Sequence, residues 1–140
     1  MTRRDWTLLA LAAARGRPLT PAQLQKALFL LGKKGKVGGS FYNFRPYNFG
    51  PFSAEIYQDA ELLEAEGLVR IDRKEPGRPW ALYAATADGI AAADSIKVDG
   101  KTRDYLQRLV EWARSLSFQQ LVSAVYREFP EQRVNSVFVE

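Results

Sequence analysis

Residues 41–68, FYNFRPYNFGPFSAEIYQDAELLEAEGL, run from an aromatic-rich loop through a Gly-Pro turn into a helix that stops at Gly67. Gly50-Pro51 breaks whatever regular structure precedes it, because proline carries no amide N–H and glycine tolerates a reversal. Ser53 stands where a side-chain oxygen accepts from the free amides of a helix over 54–66. Phe52 and Tyr57 then fall at the two positions whose apolar contact fixes how a chain approaches its helix. At the far end Gly67 can take the left-handed conformation, with Leu68 packing back over the last turn. Both ends of this helix are specified locally.

Upstream, a first helix is expected over 3–15, with Thr2 as cap, Gly16 as stop, and Trp6, Leu9, Ala10 and Ala13 as its inward stripe. A second starts sharply at Thr20, where Pro21 and Gln23 complete a T-x-x-Q capping box. Leu24, Ala27, Leu28 and Leu31 recur at helical spacing, and this helix is expected to end near Gly32. Downstream, 68–73 and 80–84 read as two short strands around a turn with basic tips, and Thr86 caps a helix over 87–96. Three helices followed by a β-hairpin is the order of a winged helix. The expected fold class is therefore α+β, winged-helix-like over 1–96, with a C-terminal helical part over 99–140. In that part Tyr105, Leu109, Trp112 or Ala113, and Leu116 form one stripe, while Ser117 opens the last helix and Pro130 closes it. With 140 residues and 46% apolar side chains, the whole reads as one domain sharing one core.

The chain contains no cysteine and no histidine. Disulfides, Ser-His-Asp and Cys-His catalysis and ordinary zinc sites are thus beyond its own side chains. No enzyme activity and no cofactor are expected. Arg3-Arg4 followed by an apolar run faintly imitates an export signal, but Asp5 and Trp6 interrupt it, so the expected location is cytoplasmic. No stretch is long enough to span a bilayer, and no membrane association is expected.

Charge is distributed unevenly. Residues 1–49 carry nine basic groups and one acid, whereas residues 53–66 carry five acids and no base. Those acids read as a solvated face, a protein-contact face or, least favoured, a metal site; Glu55 and Asp59 are neighbours at i,i+4. The aromatic series through Tyr47 reads as a cover for the core or as a platform for unpaired bases. The glycine-lysine stretch over 32–40 is a solvated connection or a phosphate-contacting arm. It is no P-loop, since no G-K-[ST] closes it. In a helix-turn-helix protein the helix before the hairpin enters the major groove, and an acidic one would be repelled there. Any DNA backbone contacts would instead come from Lys33, Lys34, Lys36, Arg45, Arg73, Lys74 and Arg78.

LQKALFLLGKKG (24–35) followed by YNFGPFSAEIYQDAELLEAEGLV (47–69) resembles the Panacea domain of SocA-like antitoxins, or a sister family of small phage-associated proteins. There a Leu-Gln-Lys helix precedes an aromatic-Gly-Pro turn, a helix and Gly-Leu before the hairpin; Gly50, Pro51, Ser53 and Gly67 carry that pattern here. The resemblance covers about half the chain, and Tyr126 and Phe129-Pro130 stand where a histidine-containing motif is often seen. It implies a non-enzymatic protein that binds and neutralises a partner toxin. Tyr47, Glu55, Tyr57, Asp59 and Glu66 are the expected partner-binding residues. A winged-helix DNA-binding regulator is the alternative, with nucleic acid as partner.

Overall fold

A computed structural model describes residues 1–35 and 37–139. Its architecture is α+β. The elements in order are α1 (Arg3–Ala13), α2 (Pro21–Lys34), β1 (Arg45–Tyr47), β2 (Gly50–Phe52), α3 (Ala54–Ala65), β3 (Val69–Asp72), β4 (Leu82–Ala85), α4 (Ala87–Asp94), α5 (Gly100–Ser115) and α6 (Phe118–Glu128), closed by a 3₁₀ turn (Pro130–Arg133).

The first helix lies at the centre rather than on one side. Seven consecutive residues of α1, from Trp6 to Ala12, are buried, so there is no single inward stripe. A helix with no polar face belongs inside a protein, and α1 packs against α2, α3, α4, α5 and β4. It ends where Arg15 and Gly16 both adopt positive φ, 57° and 87°. The second helix forms its capping box as the sequence predicts: the Gln23 amide donates to Thr20 Oγ1 at 3.2 Å and the Thr20 amide to Gln23 Oε1 at 2.9 Å. It runs through Gly32 to Lys34. Gly32 is no stop: a methyl group there would stand 2.6 Å from Cε2 of Phe41, so the missing side chain lets the ring lie against the helix.

The aromatic loop contains a hairpin that the sequence reading did not anticipate. Arg45 pairs with Phe52, Pro46 with Pro51 and Tyr47 with Gly50, so Gly50-Pro51 is strand β2 and the reversal falls just before it. Two prolines in a ladder of three pairs hide it, since neither can donate. The C-terminal tail ties the hairpin down: the Val137 amide donates to the Asn48 carbonyl at 3.0 Å and Asn135 Nδ2 to the Pro46 carbonyl at 3.2 Å.

Helix α3 begins after Ser53, and Phe52 meets Tyr57 at 5.8 Å between ring centroids. Its end is a Schellman motif. The Leu68 amide donates to the Leu63 carbonyl, the Gly67 amide to the Glu64 carbonyl, and Gly67 has φ 78°. The Ser53 hydroxyl, by contrast, does not cap; it is buried without a partner. Gln25 of α2 holds the Ser53 backbone instead, Nε2 donating to its carbonyl at 2.8 Å and Oε1 accepting from its amide at 2.9 Å. A tertiary clamp has replaced the local cap.

The second hairpin pairs Val69 with Ala85 through Asp72 with Leu82, and Leu19, just before α2, bridges the outer edge of β4 at Tyr83. In α5 the buried residues are Thr102, Leu106, Leu109, Val110 and Ala113; Leu109 and Ala113 fall where expected, whereas Tyr105 and Leu116 are half-buried and Trp112 is exposed. α5 and α6 both pack on α2, so the hydrophobic core runs unbroken from Trp6 to Val125. Among the described residues no helix is long and apolar enough to cross a membrane.

Candidate functional site

Glu55 and Asp59 of α3, and Glu66 at its end, face α1, and arginines meet them there. Arg3 grips Asp59 through two contacts, Nε to Oδ2 at 3.0 Å and Nη2 to Oδ1 at 3.1 Å, and reaches Glu55 with Nη1 at 2.6 Å. The Tyr42 hydroxyl donates to Asp59 Oδ2 at 2.6 Å and accepts from Thr7 Oγ1 at 2.7 Å. The Arg3 guanidinium also lies over the Tyr42 ring. Asp59 is only 3% exposed, so this carboxylate is a structural anchor rather than a contact surface. The hydrogen bond to Asp59 raises the Arg3 pKa above its ordinary value, and burial does the same for the Tyr42 phenol. Arg4 pairs with Glu66 at 2.8 Å, and Arg73 with Glu64 at 2.8 Å. Two basic groups of the front third, Arg3 and Arg4, thus engage Glu55, Asp59 and Glu66 within the molecule, and Arg73 from the second hairpin engages Glu64. Glu55, Asp59 and Glu66, expected to meet a partner, meet Arg3 and Arg4.

The expected phosphate contacts are dispersed. Lys34 pairs with Glu128, and Lys33 lies over the rings of Phe29 and Phe129. Arg73 is held by Glu64, and Arg78 donates to the carbonyls of Asp72, Arg73 and Trp80, shaping its own turn. Arg45 and Lys74 are exposed; Lys36 lies outside the described residues.

A different place brings residues together. Tyr47 and Tyr57 join Phe49, Phe52, Phe118 and the buried Lys26 around a pocket of about 210 Å³ at the start of α2. Across Pro21, Ala22 and Phe118 it adjoins an apolar groove of about 400 Å³, reaching Trp80, Leu116 and Leu121. Four large rings along this path are substantially exposed: Tyr47 52%, Phe118 47%, Trp80 44% and Phe49 41%. Ring contacts hold them in place, Phe49 on Phe118 at 5.2 Å and Tyr47 on Phe52 at 5.0 Å. Tyr57 stacks on Tyr83 at 5.7 Å, and burial pushes its phenol up to about 12.

Lys26 is the unusual member. It is 5% exposed, and among the described residues it has neither a hydrogen bond nor an ion pair. A methyl group on Gly50 would stand 3.6 Å from its Cε, 3.8 Å from its Nζ and 3.5 Å from Cε1 of Tyr126, so the amine shares the Gly50 wall with that ring. The Tyr126 hydroxyl is likewise buried without a partner. Desolvation pulls the Lys26 ammonium down to about 8.

The sequence reading missed Lys26, Phe118 and Trp80 as site residues. One signal was available: within the run 24–31, LQKALFLL, Gln25 and Lys26 are the two polar residues in an otherwise apolar stretch, and all eight positions are buried. The chain matches no known family model, no curated protein and no solved structure.

Proposed function

We propose that this protein is a non-enzymatic, cytoplasmic protein-binding module of the antitoxin kind, which holds its partner in the aromatic groove between Trp80 and Tyr47. The observation that carries this reading is the continuous path of exposed rings over two adjoining hollows. Large aromatics set in apolar recesses are what protein interfaces use as anchors. The Panacea-like spacing of 24–35 and 47–69 supplies the antitoxin part of the proposal. We read the fold as winged-helix-like on the order of α1, α2, α3 and the β3–β4 hairpin. The Leu19 bridge between α1 and α2 supports it, lying where a winged helix adds a first strand to its hairpin. The partner is met through the groove, which includes Tyr57 of α3, rather than through the acidic face of that helix, where Glu55, Asp59 and Glu64 are engaged by arginines. A DNA-binding regulator is less well served, because α3 carries no base and Arg73, Arg78 and Lys34 are already bonded.

The test is affinity capture from the native host followed by measurement on the captured partner. Trp80→Ala and Phe118→Ala should each weaken binding by roughly 10-fold or more, as anchor residues do. Charge reversal at Arg45 or Lys74 should change affinity by less than about threefold, as rim charges do. Recovery of nucleic acid alone, or a partner indifferent to both aromatic substitutions, overturns the proposal.

A further inference from the structure

A buried charge without a partner is costly, and this fold supplies partners where a buried charge serves stability: Asp59 has Arg3 on two atoms and Tyr42 on a third contact. Among the described residues Lys26 has none; it is 5% exposed, and its Nζ, unlike the Tyr126 hydroxyl, is not sealed from solvent. An aliphatic side chain of similar length would fill its place in α2 without the desolvation cost. The amine also borders a hollow of about 210 Å³ that an incoming group can enter. Resting on the groove reading above, we propose that the Lys26 pocket is a carboxylate-reading subsite: the partner's docking segment seats an acidic side chain against the Lys26 amine and lays a large apolar side chain across Phe118 into the adjoining groove.

Charge complementarity selects the occupant. Lys26 contributes one positive charge in apolar surroundings, matching one carboxylate, and an apolar side chain laid over the rings would shield the pair from water. The far end, at Leu116, Leu121 and Trp80, is apolar and selects an apolar side chain. The two hollows meet at Phe118, so acid and apolar anchor belong to one short segment. Such a pair also gives discrimination, because a segment lacking the acid leaves the amine buried and unpaired.

The test uses the intact protein and end-blocked, fluorescein-labelled heptapeptides carrying one Glu and one Trp at separations of one to four residues, each with a Gln twin. Fluorescence polarisation should find at least one Glu peptide that binds about 10-fold or more tightly than its twin. In Lys26→Met the ratio should collapse to within about twofold, whereas Phe118→Ala should weaken both twins alike. The comparison of twins on the unmodified protein stands even if a variant folds poorly. Equal binding of all twins, absence of binding by every peptide, or a ratio that survives Lys26→Met overturns the inference. Free glutarate binding through Lys26 as tightly as the best peptide would assign the pocket to a small carboxylate and overturn it too. Phe118-dependent binding with no Glu preference sinks this inference and leaves the groove reading standing. A captured partner indifferent to Phe118 sinks both.

Discussion

Asp59 and Lys26 are two buried charges treated in opposite ways. Asp59, on α3, is enclosed by a guanidinium and a phenol that satisfy both its oxygens. Lys26, on α2, reaches a pocket wall where no acid of the described residues meets it. The difference separates roles. A charge kept for the fold comes with its counter-charge, because removing either partner strands the other in a poor solvent. A charge left bare weakens the fold and stays free to pair with a group that arrives from outside. The two regions also divide the sequence differently. The ionic face joins residues more than fifty positions apart, while the groove gathers the start of α2, the first hairpin and the start of α6.

The contrast is sharpest at Arg3. Arg3→Met leaves Asp59 buried with Tyr42 as its remaining side-chain donor and should cost about 3 kcal/mol in urea unfolding, since the arginine is itself about one-third exposed. A loss under about 1 kcal/mol would place Asp59 in a wetter setting than its 3% exposure implies.

Lys26→Met should act with the opposite sign, stabilising the protein at neutral pH by about 2 kcal/mol. The pH dependence follows. Below pH 8 both folded and unfolded chains hold the proton, and the folded state bears the full desolvation cost. Between the folded pKa of about 8 and the ordinary 10.5 the unfolded chain binds more protons, so stability rises with pH. Tyr42, Tyr57 and Tyr83, all raised, act in the reverse sense once pH passes the ordinary tyrosine value of 10.0. The gap between wild type and Lys26→Met, followed from pH 7 to 10, isolates the lysine. It should narrow steadily, and a constant gap would contradict the assignment.

A smaller effect separates a true cap from an apparent one. Ser117 accepts from the Gln120 amide at 3.1 Å, whereas the Ser53 hydroxyl has no partner. Ser117→Ala should cost about 1 kcal/mol. Ser53→Ala should fall within about 0.5 kcal/mol of wild type, in either direction. Equal losses at the two sites, read by thermal unfolding, would restore Ser53 as a cap.

Local chemistry explains which parts of the molecule were legible in the sequence. The capping box at Thr20, the Phe52–Tyr57 contact and the Schellman end at Gly67 depend on residues within a turn or two, and they form as their spacing predicts. Ser53 misled because its position was right and its bond was not; Gln25, twenty-eight residues away, took over. The Arg45–Phe52 hairpin was hidden by its prolines, and Gly32 by a ring that only the tertiary fold brings near. Long-range packing also decides where the charged residues lie. Charge runs along the sequence suggested two exposed faces, but α1 lies against α3 and pairs Arg3 and Arg4 with Glu55, Asp59 and Glu66. Tyr47 stood out in the aromatic series and Tyr57 as the contact of Phe52 at the helix start, and both line the groove. Lys26 was passed over as one polar residue in a buried helix.

Whether the Lys26 amine is bare separates it from Asp59, and its pKa reports that directly. Following the Lys26 Cε and Nζ resonances by NMR through a pH titration, with Lys26→Met to assign them, should give a value near 8. A pKa at or above the ordinary 10.5 would mean that an acid of the chain already pairs with it or that water reaches it freely, and the contrast with Asp59 would fail.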